Sequence, residues 1–197
     1  MNKALEIAPE DPWVLMSAGW INAVQGDWTA AVPHYRLAAT YRPNWADFLN
    51  LLAEALRETG QYDEALGLYQ SVIQLDQGYE ESAYEGIGVT LWNKGDPVGA
   101  RTNLEKALSL DDNNDYAHWA LGAVLDEQGD YEAALPHLER AVALVPNNAG
   151  YQEWLGDCLY NLGRYEEARA AINQALELDP NREGAKRLSE DLAAQGY

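Results

Sequence analysis

Apolar residues recur along the chain in steps of three and four, most clearly at Ala134, Leu135, Leu138, Ala141, Val142 and Val145. That spacing gathers them on one face of an α-helix. A shorter stripe of Ala185, Leu188 and Leu192, flanked by Lys186, Arg187, Glu190 and Asp191, predicts a closing helix within 183–197. The breaks between apolar runs are regular. Gly26, Gly60, Gly95, Gly129 and Gly163 follow one another at 34, 35, 34 and 34 residues. An alanine stands five places after each: Ala31, Ala65, Ala100, Ala134 and Ala168. Another small residue stands seven places before each: Gly19, Ala53, Gly88, Gly122 and Gly156. Pro9, Pro43, Pro146 and Pro180 share one phase of the same register.

Each period therefore predicts two helices. The first ends at the recurrent glycine, which takes the left-handed conformation that closes a helix. Asp27, Asp96 and Asp130 come next, placed to cap the second helix, while Gln61 and Arg164 occupy that place with poorer caps. Trp28, Tyr62, Tyr131 and Tyr165 follow, with Pro97 in the third period, where proline suits a first helical turn. Pro33 and Pro136 fall inside second helices, so each removes one backbone hydrogen bond. The small residues let paired helices approach closely, because a larger side chain at Gly122 or Ala134 would forfeit dispersion contacts. A single pair cannot bury its apolar face, so the pairs must stack. The predicted fold is all-α, a right-handed α-solenoid of stacked antiparallel helix pairs.

The fourth period carries Leu121-Gly122, Leu125, Gly129-Asp130-Tyr131, Ala134, Leu138, Ala141 and Pro146-Asn147, and in this it resembles the tetratricopeptide repeat family. On that resemblance 1–197 is one array. Residues 1–11 are a partial repeat with only its second helix. Full repeats occupy 12–45, 46–79, 80–114, 115–148 and 149–182, and 183–197 is the capping helix. The fourth place of each repeat, often tryptophan in the family, holds Leu15, Leu49, Tyr84, His118 and Gln152 here. The missing first helix at the start reads as a chain cut from a longer array, or as an open face that meets another copy.

Charge narrows the partners. The chain of 197 residues has 32 acidic against 13 basic side chains, a net charge of −19. Such a chain repels phosphate backbones and anionic bilayers, so neither nucleic acid nor membrane is an expected partner. No stretch approaches the roughly 20 apolar residues of a membrane span, and the first residues lack the apolar core of a signal peptide. With a single cysteine, Cys158, there is no internal disulfide framework, and a cytoplasmic setting is favoured.

Catalytic and cofactor chemistry is not indicated. His34, His118 and His137 are not expected to converge, and none has a cysteine or second histidine at ligand spacing. Asp111-Asp112-Asn113-Asn114-Asp115 lacks the glycine and terminal glutamate of a calcium loop and reads as a turn between repeats. Gly86-Ile87-Gly88 lies inside a helix without a third glycine. Cys158 reads as a buried, inert thiol. No enzyme, metal or cofactor is expected.

What the resemblance implies is a binding scaffold whose first helices line a concave groove. The groove places are the second, fifth, sixth, ninth, twelfth and thirteenth of each repeat. They hold Trp13, Met16, Trp20 and Val24; Asp47, Asn50, Leu51, Glu54, Arg57 and Glu58; Glu85, Val89, Trp92 and Asn93; Tyr116, Trp119, Asp126 and Glu127; and Glu153, Trp154, Asp157 and Tyr160. Five of the seven tryptophans fall there, where random placement would put about one. Tryptophan is the residue most enriched at binding hot spots. The candidate contacts are Trp13, Trp20, Asn50, Glu54, Glu85, Trp92, Trp119, Glu153, Trp154 and Asp157. Eight carboxylates against Arg57 favour a cationic ligand, so the expected partner is a protein segment rich in apolar and basic residues. The lysine and asparagine clamp that resembling co-chaperones use for acidic tails is missing. Trp28 and Trp45 read as structural. Self-association through Leu5, Ile7 and Trp13, and glycan binding by the indoles, are the alternatives.

Overall fold

The computed structural model describes residues 6–197. Among them, residues 6–7 are helical, eleven longer helices follow, and there is no β-strand. The chain forms two compact units, the first ending at Leu110 and the second spanning Asp111–Tyr197. In the first, α1 (Pro12–Val24) packs on α2 (Trp28–Tyr41), α3 (Ala46–Glu58) on α4 (Tyr62–Leu75), and α5 (Glu80–Asn93) on α6 (Pro97–Leu110). In the second, α7 (Asp115–Glu127) pairs with α8 (Tyr131–Leu144) and α9 (Ala149–Asn161) with α10 (Tyr165–Leu178), and α11 (Glu183–Ala194) closes the unit against α10.

The glycines end the first helices as the sequence pattern requires. Gly26, Gly60, Gly95, Gly129 and Gly163 have φ of 73–80°, a left-handed backbone that side chains with a Cβ adopt at a cost. That turn lets the next amide reach back, as in Asp27 N–H to Asn22 O at 2.9 Å and Arg164 N–H to Leu159 O at 2.9 Å. Capping of the following helix is uneven. Asp27 accepts from Ala30 N–H at 2.9 Å and Asp96 from Gly99 N–H at 3.0 Å. Asp130 makes no side-chain cap, which corrects the expectation that all three aspartates cap.

Small residues set the spacing inside each pair. Ala31, Ala65, Ala100, Ala134 and Ala168 are fully buried. Across from them, a Cβ added to Gly122 would sit 2.7 Å from Leu138 Cγ, and one added to Gly156 would meet Ile172. Those approaches are shorter than carbon contacts allow, so the glycines are what let the helices close on a dense core. The first unit buries Tyr35, Phe48, Leu56, Tyr69 and Leu104, and the second Leu121, Leu125, Leu138 and Ile172.

Candidate ligand-binding faces

The first helix of each pair carries the sequence-predicted contacts, and each unit presents them differently. In the first unit, Asp11 caps α1 through Trp13 N–H at 2.8 Å and Val14 N–H at 3.3 Å, which fixes where Trp13 leaves the backbone. The Trp13 ring, 45% exposed, meets Trp45 and Phe48 edge-on at 5.3 and 5.2 Å. Trp45 also stacks on Phe48 at 5.6 Å beneath the Arg42 guanidinium. Trp13 and Trp45 thus belong to one aromatic cluster that is half structure and half surface.

Two turns further along α1, Trp20 is 58% exposed and Val24 66%. Both line a hollow of about 320 Å³ with Ala23, Trp28, Tyr35, Leu51 and Glu54. Trp28 packs on the core, as expected of a structural residue, and also forms part of this wall. A second hollow of about 220 Å³ is lined by Asn50, Glu54, Arg57, Tyr69, Ser82, Glu85 and Gly86. Three of the predicted contacts, Asn50, Glu54 and Glu85, meet there. Asn50 Oδ1 is buried and accepts no hydrogen bond. Burial pushes the Glu54 carboxyl above its usual range, with Arg57 pulling it down and Glu58 pushing it up. Arg57 pairs with Glu58 at 2.9 Å and hydrogen-bonds the Tyr69 phenol, which burial otherwise drives well above its ordinary pKa. Tyr69 reaches this spot because Gly86 offers no Cβ, and the phenol ring occupies that space.

One groove place is corrected here. Val89, expected to face a ligand, is 3% exposed and belongs to the core, since the glycines around it on α5 bring neighbouring helices close on that side. Trp92, one turn on, keeps a partly exposed indole.

The second unit gathers its aromatics into a row. Trp119 contacts Tyr116 at 5.0 Å, stacks near Tyr151 at 6.0 Å, and meets Trp154 edge-on at 6.4 Å. The Tyr151 hydroxyl donates to Asp115 Oδ2 at 2.8 Å and holds the row in place. Trp119 and Trp154 are therefore only partly exposed, and their rings link neighbouring repeats. Glu153 is bound by the Arg182 guanidinium, so its charge is already matched within the unit. Asp157 is pushed up to about 6, first by burial and then by the charges of Asp126 and Glu153, with Arg187 opposing. Asp126 is also pushed up by burial, and its Oδ1 accepts no hydrogen bond. Cys158 donates to Tyr131 O at 3.4 Å and is pushed up to about 12 by burial and then Asp126, which keeps it a thiol.

The histidine expectation is also corrected. His118 and His137 do converge, with Nδ1 atoms 3.1 Å apart, because the two places face each other across the α7–α8 pair. His118 Nε2 lies 3.2 Å from Asp112 O. Among the described residues, no group of three or more histidine, cysteine or acidic side chains is arranged to hold a metal ion. Sequence reading missed Tyr35, Tyr69, Ser82, Gly86 and Tyr151 as parts of these faces. A signal existed for one of them, the extra glycine at position 86 beside the recurrent Gly88.

Helix pairs closed by small residues, each presenting its first helix, define an all-α helical solenoid of the repeat class. The tetratricopeptide repeat model matches residues 16–80, 86–149 and 120–183, and the chain belongs to that family. It is similar in fold to a chain in the APC/C hetero-tetramer Cut9–Hcn1, at 21% identity and a TM-score of 0.88, covering 99% of this chain and 39% of that one. A thermophilic tetratricopeptide protein of Thermus thermophilus aligns at 21% identity and a TM-score of 0.77, covering 93% of this chain and 99% of that one. YrrB, described as having an unusual peptide-binding site, aligns at 18% identity and a TM-score of 0.64, over 96% of this chain and 97% of its own. No curated protein sequence matches the chain. Among the described residues, no helix is long and apolar enough to cross a membrane.

Proposed function

We propose that this protein is a non-enzymatic scaffold that binds a segment of another protein, rich in apolar and basic residues, on its first helices. Membership of a family of protein-interaction scaffolds supports the general statement. The observation that carries the finer one is the placement of tryptophan. None of the seven indoles is buried, although the core is dense, and five of them stand on first helices. Leaving indole surface in water forgoes the stabilisation its burial provides, and partner binding recovers it. YrrB, similar in fold and described as having an unusual peptide-binding site, is a precedent for peptide binding by such a protein. Selection from a random peptide library on the intact chain tests this. Bound peptides should shield indole fluorescence from iodide quenching, and peptides that bind while quenching stays unchanged would refute the reading.

A second reading is self-association. Ile7 is 83% exposed and Trp13 is half-exposed, while Leu5 lies outside the described residues. Sedimentation across a concentration series decides it, because a strict monomer removes the idea.

A further inference from the structure

Two hollows of the first unit share Glu54 and differ in chemistry. The larger is walled by Trp20, Val24, Trp28 and Leu51, and the smaller by Asn50, Ser82 and Glu85. We propose that this face reads a linear segment in which a bulky apolar side chain stands within two positions of a lysine or arginine. The apolar group seats against Trp20 and Leu51, and the cation is held by Glu54 and Asn50. The proposal rests on the peptide-binding reading above and narrows its ligand.

Volume and charge make the assignment. At about 320 and 220 Å³, the hollows lie at or below the small end of the roughly 300–1,000 Å³ that enclose a whole small molecule. Each suits a single side chain of a larger ligand. Glu54, Glu58 and Glu85 surround one guanidinium, Arg57, which is engaged with Glu58 and Tyr69. An incoming cation therefore meets net negative charge. Asn50 Oδ1 is a buried acceptor with no donor, and Glu54 is a half-buried carboxylate. Both conditions carry a desolvation cost that a charged N–H donor offsets. An acidic or phosphorylated segment would raise that cost. Because Glu54 lines both hollows, the apolar group and the cation must be close in the ligand sequence.

The test uses the full chain and a phage library of random dodecapeptides, followed by synthetic copies of the enriched sequences. Enriched peptides should pair an aromatic or large aliphatic residue with a nearby lysine or arginine. Trp20→Ala should weaken them about 30-fold with little change in the melting curve, given its exposure. Replacing the peptide's lysine by norleucine should weaken wild-type binding about tenfold, and Glu54→Gln should abolish that preference. The preference is a readout that a merely structural role for Glu54 would not move. Enrichment of acidic or motif-free peptides overturns the proposal, as does a lysine preference that survives Glu54→Gln. If peptides bind but ignore both substitutions, the general reading stands and this assignment fails. No enrichment over beads without protein overturns both.

Discussion

The two units solve the same packing problem with different side chains, and the choice decides what their surfaces can do. At equivalent places of their second helices, each against a glycine, the first unit buries Tyr35, Tyr69 and Leu104, and the second Leu138 and Ile172. A phenol is longer than an isobutyl group and has a polar end that must find a partner. Tyr35 reaches Gly19 of its own helix pair and Tyr69 reaches Gly86 of the next pair, and each lines a hollow beside the first helices. In the second unit the aliphatics stop inside the core, and the face is covered by aromatics that contact one another. The lesson is that indoles at equivalent repeat places need not share a role. Trp20 has open surface beside a hollow, whereas Trp119 has ring neighbours.

The sharpest way to break that comparison is in the aliphatic core. Leu138→Ala should destabilise the protein by about 2–5 kcal/mol in urea denaturation, because its side chain fills the space that Gly122 leaves. Next in size, Trp119→Ala should cost about 2 kcal/mol of stability through lost aromatic contacts. Trp20→Ala should change stability by no more than about 0.5 kcal/mol. Equal losses at the two indoles would erase the distinction between an open and a closed face.

Burial pushes up a carboxyl in each unit, Glu54 in the first and Asp157 in the second. The pKa of Asp157 is about 6 in the fold against an ordinary 3.8, so the folded chain holds its proton more tightly than the unfolded one. The sign follows: the contribution of Asp157 is most favourable below about pH 4, is lost as pH rises through about 6, and is a full penalty at neutrality. Asp157→Asn should therefore stabilise the protein at pH 7 by about 1 kcal/mol, after allowing for partial solvent screening, and bring no gain at pH 4. Melting curves at the two pH values measure it. A gain of equal size at both would mean that side-chain shape, not charge, is responsible.

Much of the fold was legible because one requirement repeats. A helix pair needs a left-handed residue at its turn and small residues at its contact, and both are written as glycine and alanine every 34 or 35 positions. The faces were legible only in part. The resemblance to the family's repeat places assigns Val89 and Trp92 to the same face, yet Val89 is in the core, because the Gly86 and Gly88 contacts draw neighbouring helices onto that turn. Glu153 stands on a first helix, but its bond to Arg182 joins residues 29 apart and leaves no mark in a repeat pattern. The His118–His137 approach escaped for a related reason. The two sit in different places of one repeat, and register alone does not say which places face each other across a pair.

The smallest expected effect tests the comparison at a single atom. Asp27 and Asp130 occupy the same repeat place and share nearly the same backbone, with φ and ψ of −88° and 70° against −90° and 63°. Only the side chains differ, since Asp27 accepts from Ala30 N–H and Asp130 caps nothing. Asp27→Ala should cost about 1 kcal/mol, the usual loss of an N-cap. Asp130→Ala removes no such bond, only the weaker attraction of a carboxylate to the helix N-terminus, so a few tenths of a kcal/mol are expected. Salt separates the two contributions, because screening suppresses the attraction to the helix end more than a short hydrogen bond. Melting each variant at low and high salt should leave the Asp27 deficit largely intact and shrink that of Asp130. If both deficits are near 1 kcal/mol and resist salt, Asp130 caps α8 in solution and the two turns are alike.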